Sequence, residues 1–175
     1  MKAQMHDFMD GKGPVPSHIH TKGGGWVADT ANVYNSAYIG PDARVSGDAW
    51  VYGDAWVSGN AWVSGSALVD GDARVSGNAR VYGSARVSGN AWVSGSALVD
   101  GDARVKRGMY TSTPTSITRS DGCMFTLQSD GSIVAGCRDF TPDEAKAHWG
   151  DPEHHKHRES MAIVTALNAI AAERQ

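Results

Sequence analysis

Histidine, cysteine, tryptophan and arginine are the side chains here with the most chemistry to offer, and they are unevenly placed. The seven histidines fall towards the two ends: His6, His18 and His20, then His148, His154, His155 and His157. His18-Ile19-His20 and Glu153-His154-His155-Lys156-His157 have metal-ligand residue types, and His154 and His157 are spaced to share one side of a helix. Neither group has a cysteine or a further ligand cluster beside it. A solvated arm and the polar first turn of a helix are the better readings. The two cysteines, Cys123 and Cys137, have no metal-site spacing. Gly136-Cys137-Arg138 sets a thiol beside a cation, which would lower the thiol pKa, but a half-buried cysteine in a strand is the preferred reading.

Tryptophan and arginine occupy the middle of the chain, where histidine and cysteine are missing. They recur at multiples of six, and a strict period of six explains them. From Val27 the sequence reads VADTAN, VYNSAY, IGPDAR, VSGDAW, VYGDAW, VSGNAW, VSGSAL, VDGDAR, VSGNAR, VYGSAR, VSGNAW, VSGSAL, VDGDAR, thirteen hexads to Arg104 without an insertion. Each has Val or Ile first and Ala fifth, and most have Gly third with Asp, Asn or Ser fourth. A period of six fits neither an amphipathic helix nor a heptad. It fits a short strand and a corner, with Gly taking the unusual backbone angles and Asp or Asn bonding the turn. Val and Ala then point inward, and the residues flanking each Val point outward.

This pattern resembles the hexapeptide-repeat family. The resemblance implies a left-handed parallel β-helix in which three hexads make one triangular coil, here four coils and one further side. It also implies a trimer with parallel coil axes. Enzymes of that family are mostly acyltransferases that use acetyl-CoA or acyl carrier protein and a histidine general base near a loop projecting from the coils. No histidine lies between Thr21 and Lys106 and no loop interrupts the hexads, so no transferase residue can be carried over. The segment GGGWVADTANV with IGPDARVSGDAWVYGDAWV is also similar to uncharacterised bacteriophage and prophage hexapeptide proteins, loosely described as acyltransferases. Many of those carry a short tail like DGCMFTLQSDGSIVAGCRDFT. That likeness suggests a phage or mobile-element origin.

A coil of three hexads sorts the outward residues into three columns. The first is Trp26, Arg44, Trp62, Arg80, Leu98; the second Asn32, Trp50, Leu68, Arg86, Arg104; the third Tyr38, Trp56, Arg74, Trp92. Neighbours in a column stand about 4.8 Å apart, close enough for cation–π contacts. The third column runs beside Gly40, Ser58, Ser76 and Ser94, whose small size lets flat faces approach. Tyr38, Trp56, Arg74 and Trp92 are therefore the expected oligomer interface, and Arg44, Arg80 and Arg86 the expected lining of clefts open to an anionic ligand. Asn60–Val75 recurs unchanged as Asn90–Val105. The offset of five hexads places the copies on different faces, which reads as a duplication that kept the core and shuffled the surface.

The expected architecture is an all-β solenoid, a left-handed parallel β-helix with three hexads per coil, carrying a small α+β C-terminal cap. Residues 1–25 form an arm or cap over the first coil, 26–105 the β-helix, 106–116 a linker and 117–175 the C-terminal domain. In that domain, turns at Asp121-Gly122 and Asp130-Gly131 separate two or three strands. Thr141-Pro142-Asp143-Glu144 starts a helix ending near Gly150. A second helix is expected from Asp151-Pro152-Glu153, with Ile163, Ala166, Leu167 and Ile170 on one side.

The chain of 175 residues has 16 Lys and Arg against 19 Asp and Glu, a net charge of −3, which argues against general nucleic-acid binding. No apolar run is long enough for a membrane span, and MKAQMHDFMDGKGPVP lacks the apolar core of a signal peptide. A cytoplasmic protein with reduced thiols is expected, in the host cell if phage-encoded. Its expected function is that of a non-catalytic homotrimer, without cofactor, that sequesters a small nucleotide-like anion between subunits and counters host defence. The alternatives are an acyltransferase using acetyl-CoA and a structural, virion-associated spacer.

Overall fold

Valine at every sixth position can be fully buried only if the chain turns a corner between valines. A computed structural model, which describes residues 4–154 and 156–173, shows that arrangement. The chain divides into two compact units, residues 1–113 and 114–175. In the first, fifteen short strands from Trp26–Ala28 to Met109–Tyr110 form three parallel sheets, giving a three-sided β-solenoid of five turns. Each strand pairs with the strand three hexads on, as in Arg44 with Trp62 and Val45 with Val63. The interior is a stack of single residue types. Val45, Val63, Val81 and Val99 lie in line on one side, and they and the intervening alanines Ala49, Ala67 and Ala85 are completely buried. Burying each valine stabilises the fold by about 1.5–3 kcal/mol.

The corners are glycine ladders. Gly65 has φ +67°, and a Cβ added there would lie 2.9 Å from the backbone nitrogen of Gly83 in the next coil. Coil-to-coil bonds continue through the corner, with Ser66 N–H donating to Gly83 O at 2.8 Å. Any side chain at this position would push neighbouring coils apart as well as strain its own backbone.

The repeat does not stop at Val105 as its hexads do. Met109–Tyr110 adds one more side, with Trp92 facing Met109 and Val93 facing Tyr110. The step from Trp92 to Met109 falls one short of three hexads, and Gly108 takes up the difference at φ +78°. Tyr110, only 5% exposed, closes the valine column with a larger side chain. At the other end, Gln4–His6 and Val15–Ile19 form an antiparallel hairpin whose second strand pairs with Trp26–Ala28. The hairpin covers the free edge that the first coil would otherwise expose.

The second unit is a four-stranded antiparallel meander, Ser116–Thr118, Met124–Leu127, Ile133–Ala135 and Arg138–Phe140, followed by helices α1 (Pro142–Gly150) and α2 (His157–Ala172). Phe125, Leu127, Ile133, Trp149, Ile163, Val164 and Leu167 form its core. Thr141 and Glu144 make a reciprocal capping box at α1. The second helix starts later than its sequence suggests. Asp151 Oδ1 accepts a bond from Glu153 N–H at 2.9 Å, turning the chain locally, and α2 begins only at His157 without a side-chain cap. Its buried side is consequently Ser160, Ile163, Val164 and Leu167, with Ile170 half-buried and Ala166 exposed.

Candidate functional site

Because strand side chains alternate, every buried valine sends one neighbour outward on each side, and parallel pairing stacks those neighbours into ladders. The three ladders have the membership expected from the three-hexad period. On the third face the ring of Tyr38 stacks on Trp56 with centroids 3.8 Å apart and planes at 17°. Arg74 lies in register between Trp56 and Trp92, and Trp92 Nε1 donates to Ser76 Oγ at 3.1 Å. Trp56, Ser58, Arg74, Ser76 and Trp92 line a groove of about 340 Å³. Trp56 and Trp92, on either side of Arg74, remain 45% and 39% exposed, an unusual amount of aromatic surface for one face.

On the first face, Arg44 and Arg80 are the register neighbours of Trp62. The guanidinium of Arg80 sits 5.7 Å from the Trp62 ring centroid, and Trp62 Nε1 donates to Ser46 Oγ at 3.1 Å. A groove of about 360 Å³ is lined by Trp62, Arg80, Tyr82 and Leu98, together with Asp10 and Lys12 of the N-terminal segment. Arg44 instead lines a smaller pocket with His6, Trp26 and Asp42. Arg86 stands on the second face between Leu68 and Arg104. The structure therefore brings Tyr38, Trp56, Arg74 and Trp92 into one surface, but divides Arg44, Arg80 and Arg86 among three places.

The N-terminal arm was expected, but its contacts on the first face were not. His6 stacks on Trp26, with centroids 4.2 Å apart and planes at 10°, and makes an edge contact with Phe8, which is 1% exposed. Burial and the nearby Arg44 cation push the His6 pKa below 6.5, against a weaker opposing effect of Asp7. A second missed pattern is the pair of rungs Tyr52–Asp70 and Tyr82–Asp100, whose hydroxyls donate to carboxylates at 3.0 and 3.2 Å. The hydrogen bonds hold both phenols above their ordinary pKa. Their spacing of three hexads was a readable signal, whereas no periodicity marks where the N-terminal segment lies.

The internal duplication did more than preserve the core. Advancing by five hexads carries the rung Tyr52–Asp70 onto Tyr82–Asp100, and Trp62–Ser46 onto Trp92–Ser76. Two outward interactions were thus copied with the valines and turned onto another face, while other outward residues changed: Trp50 and Trp56 correspond to Arg80 and Arg86.

The histidines and cysteines do not gather into one site, although His148 and His154 meet edge-on with ring centroids 5.5 Å apart. His18 Nδ1 meets Asp29 at 2.8 Å, His20 is buried at the base of the hairpin, and His148 stacks on Phe140. His157 Nδ1 donates to Trp149 O at 2.6 Å, His154 belongs to the preceding turn, and His155 lies outside the described residues. Among the described residues, no three His, Cys, Asp or Glu side chains are grouped to hold a metal. Cys137 is exposed in a turn and not half-buried in a strand.

Stacked parallel strands, a valine interior and glycine corners define the chain as a β-solenoid repeat protein. The family model described as the YdcK beta solenoid repeat matches residues 43–59, 73–88 and 85–101, all of them within the coils. No curated protein and no solved structure matches the chain significantly. No helix among the described residues is long and apolar enough to cross a membrane.

Proposed function

We propose that this chain is a non-catalytic, self-associating solenoid whose third face joins copies of the chain into a homotrimer, and whose first-face groove receives a small planar anion. The observation that carries the reading is the exposed ladder Tyr38, Trp56, Arg74 and Trp92, running beside the small residues Gly40, Ser58 and Ser76. Trp, Tyr and Arg are the residue types that dominate interface energetics. Arg74 tolerates burial there if a carboxylate or carbonyl of the neighbouring copy completes its hydrogen bonds.

The coils direct Trp, Arg, Tyr, Ser and Asp outward, a set suited to stacking and charge pairing. Arg80 over Trp62, with Lys12 also lining the groove and paired there with Asp10 at 3.9 Å, provides an aromatic platform beside two cations. Those groups fit the base and phosphate of a nucleotide-like ligand. A bacteriophage origin, as the sequence pattern suggests, would give such sequestration a context in countering host defence. Light scattering tests the interface: Trp56→Ala with Trp92→Ala should give monomers, and a variant of unchanged size would refute the assignment. Calorimetry with nucleoside mono- and diphosphates tests the groove, where Arg80→Ala should weaken binding at least tenfold while leaving the oligomer intact.

A further inference from the structure

The Trp–Arg–Trp ladder of the third face occurs twice in this molecule. The five-hexad step that relates the duplicated segments carries Trp26, Arg44 and Trp62 of the first face onto Trp56, Arg74 and Trp92 of the third. It also carries Ser46 and Ser64 onto Ser76 and Ser94, so the small-residue column beside the ladder is copied as well. Both ladders keep the same indole-to-serine hydrogen bond at 3.1 Å, and both begin with a ring stacked on the first tryptophan: His6 on Trp26 and Tyr38 on Trp56.

Their surroundings differ. Trp56, Arg74 and Trp92 are exposed, whereas Trp26, Arg44 and Trp62 are only half-exposed and Ser46 is 3% exposed. The groups around the first ladder come from the chain's own N-terminus: His6 stacks on Trp26 and lines a pocket with Arg44, and Asp10 and Lys12 line the groove that Trp62 and Ser46 also line. Phe8, buried between these contacts in sequence, anchors the segment. Two ladders of the same three residue types are thus made unequal by one short stretch of chain.

We propose that the first-face ladder is a second self-association surface, obstructed by residues 4–12 of the same chain, which leave beside Trp62 and Arg80 a groove of ligand size but no room for a second solenoid, so that only the third face is open to a second copy. The inference rests on the reading of the third face as a self-association surface. The partner it names follows from the alternation of residues. A Trp–Arg–Trp column carries both the cation and the aromatic faces of a cation–π contact, so a second copy of the ladder supplies the groups that the first can bind. One open face of this kind per chain permits a closed assembly. Two open faces permit continued addition of copies, and the N-terminal segment prevents it.

Sedimentation velocity over a range of micromolar concentrations tests this on the full chain and on two variants that free the first face. Phe8→Asp undocks the segment, and deletion of residues 2–12 removes it while leaving Val15–Ile19 to pair with the first coil. The expected result is a wild-type protein of one small size and variants whose mass grows with concentration. Adding Trp26→Ala and Trp62→Ala should return the variants to wild-type size. If the wild type is oligomeric and both variants keep its size, the inference is overturned and the third-face reading stands. Growth that persists after the two tryptophans are removed also overturns it, since exposed strand edges would then be the cause. A monomeric wild type with variants that assemble through Trp26 and Trp62 supports the first-face surface and refutes the third-face reading. Monomers throughout overturn both.

Discussion

Glycine at a coil corner and valine inside the coil have different tasks, and substitutions separate them. Gly65→Ala would place a Cβ 2.9 Å from Gly83 N in a left-handed conformation, so it should lower stability by about 1 kcal/mol or more in urea unfolding. Val63→Asp should abolish folding altogether, read as loss of the β-sheet circular dichroism signal, because a lone carboxylate would enter a column with no polar partner. Both residues were legible, since a period of six with Val first and Gly third leaves no other arrangement for them. The individual outward contacts were less so. Column membership of Trp62 and Ser46 follows from counting, but the indole-to-hydroxyl bond needs a rotamer that spacing does not specify. Cys137 was misread for a related reason: Gly136, at φ +58°, puts it in a tight turn where a strand pattern suggested burial.

Among the elements, α1 was read correctly because its start is coded locally. Thr141 caps Glu144 N–H at 3.2 Å and the Glu144 carboxylate returns to Thr141 N–H at 2.8 Å, which also holds the Glu144 pKa below its ordinary value. Thr141→Ala should cost about 1 kcal/mol in denaturant unfolding of the full chain. The start of α2 was misplaced because Asp151 bonds two positions ahead and makes a turn, a competing use of the same capping residue. The contacts of the N-terminal segment were not legible, since His6 and Phe8 meet their partners without any repeat to count by. Its docking should depend on pH. His6 faces Arg44, Asp7 and Asp42, and its depressed pKa means that the docked state resists protonation. Docking should therefore be fully retained above about pH 6.5 and weaken as pH falls from there towards the depressed value. Hydrogen exchange of residues 4–12 at pH 7.5 and 5.5 should show faster opening at the lower pH, after correction for intrinsic rates, and equal opening would contradict the geometry.

At the scale of the whole molecule, the fold was readable from the sequence because one short rule is applied again and again, whereas its function depends on which surfaces meet a partner. Duplication by five hexads multiplied ladders faster than the chain could hide them, and the third face is the copy left uncovered. The proposed trimer follows from that surplus of exposed aromatic surface, beside small residues that allow close approach. Sedimentation equilibrium of the wild-type protein at about 10 µM and neutral pH addresses this most directly. The account predicts a particle of three times the 18.5 kDa chain mass, independent of loading concentration. A single species at the mass of one chain would contradict it.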